Sequence, residues 1–160
     1  RLRGFDTKVL YTDISRADRK IEDALQATYA SKDDLLRQSD IVILILPYTP
    51  ETHHYIGKAE LAKMKVSAVL INMARGGQVV DEALLAALDS GHLAGATLDV
   101  FNTEPLPAEH RYWAHPKVHV TPHIAGATNP RTASPGVIDN IRRLRAGQPL
   151  IHTVDPKSGY

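Results

Sequence analysis

At 160 residues and 43% hydrophobic side chains, the chain is long enough to bury one sizeable core. Its formal net charge of +1 gives no general reason to expect nucleic acid, a membrane surface or an acidic partner. With no cysteine, a disulfide scaffold and thiol catalysis are excluded, which suits a cytoplasmic protein, and the longest apolar stretch, 41–46, is too short to span a bilayer.

Apolar runs alternate with helix-like stretches along the whole chain. Residues 8–12 read as a strand ending at Asp13, 17–25 as a helix, and 27–30 as a short strand. Ser31-Lys32-Asp33-Asp34 resembles a capping-box start, in which the serine oxygen accepts from an orphan helix N–H. Residues 41–46 form a continuous β-branched run halted by Pro47, the pattern expected of a strand buried on both faces. A helix over 58–64 and a strand over 68–73 follow.

Asp81 is expected to cap the next helix, whose stripe of Ala83, Leu84, Ala87 and Leu88 ends at Gly91. Strands are expected at 95–100 and 118–121, separated by a proline-rich stretch that reads mostly as loop. An amphipathic helix over about 131–146, interrupted early by Pro135, stops at Gly147. The basic Arg142, Arg143 and Arg145 read as its solvated face. This repeated β-α-β order predicts an α/β, Rossmann-like doubly wound parallel sheet.

Three polar side chains fall just past strand ends, where open α/β sheets bind ligands: Arg75, Glu104 and His123. The Arg75 fork, followed by Gly76-Gly77, matches a carboxylate bidentately and suits a 2-oxo or 2-hydroxy acid. A surface arginine beside an ordinary turn is the plainer alternative. A carboxylate such as Glu104 beside an imidazole such as His123 would favour the imidazolium and fix which ring nitrogen faces substrate. Such a histidine can protonate a carbonyl being reduced. Taken singly, Glu104 could be a loop carboxylate and His123 a satisfied, partly buried histidine.

Asp13 could hydrogen-bond the ribose hydroxyls of NAD, or simply cap a helix, while Arg16, Arg19 and Lys20 could instead accept the phosphate of NADP. Asp99 could serve as a turn acid or as a partner for a carboxamide. Tyr112 and Trp113 read as packing for their loop. His115, His119 and His123 are spaced four apart, but Pro116 and Pro122 argue against the helix that would align them on a metal. On a strand they would lie roughly 13 Å apart, so no metal site is expected.

Four segments in order resemble the D-isomer-specific 2-hydroxyacid dehydrogenases. They are Leu46-Pro47-Tyr48-Thr49-Pro50-Glu51-Thr52, Ile71-Asn72-Met73-Ala74-Arg75-Gly76-Gly77, Leu98-Asp99-Val100-Phe101-Asn102-Thr103-Glu104-Pro105-Leu106-Pro107 and Thr121-Pro122-His123-Ile124-Ala125-Gly126. The segment Glu104-Pro105-Leu106-Pro107 with Trp113-Ala114-His115-Pro116, and the tail from Val154 to Tyr160, are most like those of glyoxylate/hydroxypyruvate reductases. The resemblance implies that Arg75 holds the substrate carboxylate, His123 exchanges the proton and Glu104 orients and charges His123. It implies a cofactor, NAD or alternatively NADP, met by Asp13, Pro47, Met73, Arg75, Asp99, His123 and Gly126. A homodimer is implied as well, with a small 2-oxo or 2-hydroxy acid as substrate and no nucleic acid or membrane partner.

The family's Gly-x-Gly-x-x-Gly turn does not occur in these residues and would lie just before Arg1. The expectation is therefore a C-terminal portion of a longer enzyme, inactive alone. Residues 1–127 would be a partial NAD(P)-binding domain, and 128–160 a helix and tail returning towards the substrate domain. An NAD(H)-sensing, corepressor-like binding module is the alternative, because such proteins keep a comparable triad.

Overall fold

In the computed structural model, residues 2–155 are described; the Pro156-Lys157-Ser158-Gly159-Tyr160 part of the reductase-like tail lies outside them. Strand β1 (Val9–Tyr11) is followed by α1 (Arg19–Leu25), β2 (Ala27–Tyr29), α2 (Lys32–Gln38), β3 (Ile41–Leu44) and α3 (Lys58–Lys63). Then come β4 (Val69–Asn72), α4 (Asp81–Asp89), β5 (Gly95–Leu98), α5 (Arg111–Ala114), β6 (Val118–Val120) and α6 (Pro130–Arg145). Every strand pairing is parallel: β1 with β2, and β3-β4-β5-β6 in sequence order. Parallel neighbours joined by helical crossovers make an α/β, Rossmann-like sheet, here in two parts.

Register lines up one buried row across the larger sheet: Val42 opposite Leu70 and Ala96, and Leu44 opposite Asn72 and Leu98. Leu36 from α2, Leu61 from α3, and Leu84 and Leu88 from α4 join this row in a single core. Each fully buried leucine contributes about 1.5–3 kcal/mol.

The expectation that β3 is buried on both faces is corrected. Val42 and Leu44 are buried, but Ile41 is 57% and Ile43 39% exposed. A β-branched run records that both faces of a strand are apolar; it does not put the covering helix in the same chain. Among the described residues β3 has a strand partner on one side only, β4. None of the residues of α6 is buried either, and its Val137, Ile138, Ile141 and Leu144 are exposed. That helix also continues through Pro135, giving up one ladder bond to the Arg131 carbonyl.

Ser31 caps α2 as expected, its hydroxyl accepting from Asp34 N–H at 3.1 Å. Asp81 does not cap α4: Val80 holds the cap position and makes no side-chain bond, and the Asp81 carboxylate turns elsewhere. Asp13 is no cap for α1 either, because that position falls to Asp18.

Within α1, Glu22 is buried and accepts from the Tyr11 hydroxyl at 2.7 Å and from Arg16 Nε and Nη2, both at 2.8 Å. The Arg16 bonds first, then that of Tyr11, outweigh burial and lower the Glu22 pKa to about 2. A folded pKa below the ordinary 4.5 contributes stability that is fully present above that value and is lost as pH falls towards 2. Thermal unfolding across this window should therefore show a shallower acid dependence in Glu22→Gln than in the native chain. Equal slopes would contradict the assignment.

Candidate active site

The turn after β4 is shaped by Asn72, which is buried. Its amide donates to the Arg75 carbonyl at 3.0 Å, and its oxygen accepts from Ala74 N–H at 3.1 Å. This presents Arg75 outward, exposed, with Nη1 donating to the Ala74 carbonyl at 2.6 Å. A short 3-10 turn over Gly76–Gln78 follows. A Cβ on Gly76 would lie 2.0 Å from the Phe101 carbonyl carbon and 2.3 Å from Asn102 N. Only glycine lets the two loops touch there.

The Gln78 amide donates to the carbonyls of Leu46 at 3.2 Å and Pro47 at 3.0 Å, tying the segment after β3 to the segment after β4. Between them opens a cleft of ≈ 620 Å³ lined by Ile45, Leu46, Pro47, Tyr48, Met73, Ala74 and Arg75. Three of the sequence-predicted residues, Pro47, Met73 and Arg75, thus line the same cleft.

Glu104 and His123, 19 positions apart, are brought together by β5 and β6. His123 Nδ1 lies 2.8 Å from Glu104 Oε2. An ionised carboxylate only accepts, so Nδ1–H donates and Nε2 faces away from Glu104. Glu104 Oε1 accepts from Phe101 N–H at 2.9 Å. The His123 bond first, then the Phe101 bond, hold the Glu104 carboxyl below its ordinary pKa against burial, and the charges of His123 and Arg75 add to this.

His123 has φ 53, a left-handed backbone conformation uncommon for histidine. The buried Asp99 at the end of β5 holds it there. Its Oδ1 accepts from the Thr121 hydroxyl and from Ile124 N–H at 3.0 Å, and Oδ2 from Ala125 N–H at 2.9 Å. Burial pushes the Asp99 pKa up, but these three donors together carry it below its ordinary value. Asp99 is thus spent on the protein's own loop. Sequence reasoning missed this clamp, and Thr121 with it, because nothing in a single sequence says which loop a strand-end aspartate faces.

The remaining residues are more scattered. Asp13 stands at the end of β1 in the smaller sheet, exposed, with Oδ1 accepting from Ile14 N–H at 2.7 Å and Oδ2 without a hydrogen bond among the described residues. Gly126 is exposed, and a Cβ there would meet nothing within 4 Å. His115 does not converge with His123: its Nε2 lies 3.2 Å from Asp89, which also takes Arg111 at 3.0 Å. Tyr112 is buried, while Trp113 is 54% exposed with its ring N–H on the Pro107 carbonyl at 2.9 Å.

The family model described as the D-isomer specific 2-hydroxyacid dehydrogenase, NAD binding domain, matches residues 1–125. The chain belongs to this family. It is 44% identical over 134 residues to a glyoxylate/hydroxypyruvate reductase A of Klebsiella pneumoniae (strain 342), covering 84% of this chain and 43% of that protein. The same-named protein of Yersinia enterocolitica is 37% identical over 149 residues, 91% of this chain and 47% of the relative. The chain thus spans about half the length of the curated relatives it matches.

Among solved structures, an NADPH-dependent glyoxylate/hydroxypyruvate reductase from Sinorhizobium meliloti in complex with NADP and sulfate superposes with TM-score 0.89 at 35% identity, over 99% of this chain and 51% of that one. A D-isomer specific 2-hydroxyacid dehydrogenase from Xanthobacter autotrophicus Py2, in complex with NADPH and MES, gives 0.87 at 41% identity over 96% and 63%. The residues present fit the two ends of such a dinucleotide. The apolar Pro47 and Met73 in the cleft lining suit a nicotinamide ring, and Asp13 leaves an oxygen open to a ribose. Residues 1–160 contain no Gly-x-Gly-x-x-Gly turn for the phosphates.

Proposed function

We propose that the chain carries the proton-handling half of an NAD(P)-dependent oxidoreductase interconverting small 2-oxo and D-2-hydroxy acids, glyoxylate and hydroxypyruvate foremost. The single observation that carries this reading is the 2.8 Å Glu104–His123 bond. A bound nicotinamide would supply or accept the hydride.

Everything else falls to side chains of this chain. Arg75, with its fork towards the cleft, would take the substrate carboxylate and sit beside the carbonyl oxygen as negative charge builds there. His123, protonated, would give its Nε2 proton to that oxygen in reduction and take it back in oxidation. Glu104 keeps Nδ1 protonated and stabilises the imidazolium. Pro47 and Met73 would flank the nicotinamide, and Asp13 would meet the adenosine ribose, with Arg16, Arg19 and Lys20 nearby as the route to NADP. Two of the three nitrogens of the Arg16 guanidinium already serve Glu22.

In this reading residues 1–127 are a partial cofactor domain. Residues 128–160 return towards a substrate domain, supported by the wholly unburied α6. A homodimer in the cytoplasm completes the proposal; the cysteine-free sequence suits that compartment. The test is to express the gene's full reading frame and follow oxidation of NADH and NADPH with glyoxylate and hydroxypyruvate. Substrate-dependent oxidation with at least one pair is expected. Tight cofactor binding without turnover of either acid would favour a sensing module and overturn the enzymatic reading.

A further inference from the structure

Glu104 stands in an exposed loop, yet its carboxylate must meet His123 in one geometry. One side of the loop is fixed by the Phe101 N–H that Glu104 itself accepts from. What fixes Phe101 lies outside the triad. Asn102, next in the chain, donates its side-chain amide to Asp81 Oδ2 at 2.9 Å. The other Asp81 oxygen accepts from the Tyr112 hydroxyl at 2.9 Å, and Tyr112 is only 2% exposed. His110 Nε2 stands 3.9 Å from Asp81 Oδ2, with its ring tilted against that of Tyr112 at 4.5 Å between centroids. The Phe101–Asn102 backbone meanwhile lies directly on Gly76.

We infer that Asp81 is a positioning residue for the acid–base pair. It acts through Asn102, anchored by the buried Tyr112, to hold the Phe101–Glu104 loop against the turn that carries Arg75. The inference rests on the reading of Glu104 and His123 as that pair. Asp81 touches neither substrate nor reacting atoms. The chain of contacts runs from core to site: Tyr112 to Asp81, Asp81 to Asn102, then through one peptide unit to the N–H on Glu104, and from Glu104 to His123. The carboxylate accepts from both neighbours at once, one oxygen to each, whereas an amide has a single acceptor oxygen and no charge, so the bonds that remain lose their charge assistance.

The test reads the titration of the Glu104 carboxyl by carbon NMR on glutamate-labelled chain, together with the thermal midpoint. Asp81→Asn is expected to move the Glu104 midpoint upward, towards that of an ordinary glutamate. Loss of a neighbouring negative charge alone would move it downward, so direction separates the two causes. Asn102→Ala, a surface change without any change in charge, should reproduce the upward movement even where Asp81→Asn fails to fold. The double variant Asp81→Asn with Asn102→Asp reverses donor and acceptor and should return the midpoint towards the native value. A Glu104 titration unmoved in folded Asp81→Asn and Asn102→Ala would overturn the inference and leave Asp81 a purely structural residue. No turnover enters these readouts, so an inactive enzyme and a misassigned brace are distinguishable results.

Discussion

His123→Ala in the full-length protein should lower kcat by about 10²–10⁴-fold, the range for removing a positioned acid–base group. Cofactor affinity should change little, because among the described residues the imidazole's hydrogen bond is to Glu104. Glu104→Gln keeps an oxygen for the Nδ1 proton but no charge opposite an imidazolium, so its loss should be smaller and dependent on pH. The sign follows from the roles. Reduction needs the protonated ring and oxidation the neutral one. Glu104 has its pKa lowered, so its carboxylate stays charged through neutrality and its support is lost only in acid, as pH falls through that lowered value. Steady-state kinetics across pH, with cofactor affinity measured by fluorescence, check this. A His123→Ala enzyme within a few-fold of native would remove histidine from the mechanism.

The alternation of strands and helices was legible because each has its own period, and the ends held where a named atom marks them. Ser31 is an example: its hydroxyl has one local task, and the short spacing to Asp34 says which. Asp81 looks equivalent on paper and is not. Its partners, Asn102 and Tyr112, come from 21 and 31 residues away, and no local spacing encodes them. The two-sided apolar character of β3 was legible too. Its exposure was not, since burial belongs to a neighbour rather than to the strand.

The candidate site divides the same way. Arg75, Glu104 and His123 could be singled out because each follows a strand, and strand ends in a parallel sheet gather on one side. The contacts that fix their orientation could not. Asn72 reads as one more strand residue, yet its amide sets the turn beneath Arg75. Gly76 reads as a loose turn, yet it is the point where two loops press together. For Gly76 the deciding fact is a long-range approach of backbone to backbone, which depends on register; for Asn72 it is the turn its side chain bonds across, which the strand pattern does not single out.

Asp99→Asn is the substitution expected to damage stability and site together. The native carboxylate satisfies the Thr121 hydroxyl and the N–H groups of Ile124 and Ala125 in a nearly water-free position, with both oxygens accepting. An asparagine has one acceptor and one donor there, so whichever way it turns, its NH₂ faces an N–H or O–H that already donates. One unsatisfied buried donor costs about 1–3 kcal/mol, and the bonds that survive lose their charge assistance, giving a loss of roughly 2–4 kcal/mol in unfolding free energy. The loop so released carries His123 at φ 53, a conformation that persists only where its surroundings impose it. Turnover should therefore fall with the stability, and hydrogen exchange at Ile124 and Ala125 should quicken more than at the core of β4. The stability difference between the two proteins should also shrink in acid. Asp99 has its pKa lowered on folding, so its contribution is present above the ordinary aspartate range and lost as pH falls through the folded value. Denaturant titration of both chains at neutral and acid pH reads this directly. A neutral-pH difference below about 0.5 kcal/mol, the scatter of an ordinary surface change, would show that the clamp does not hold the loop.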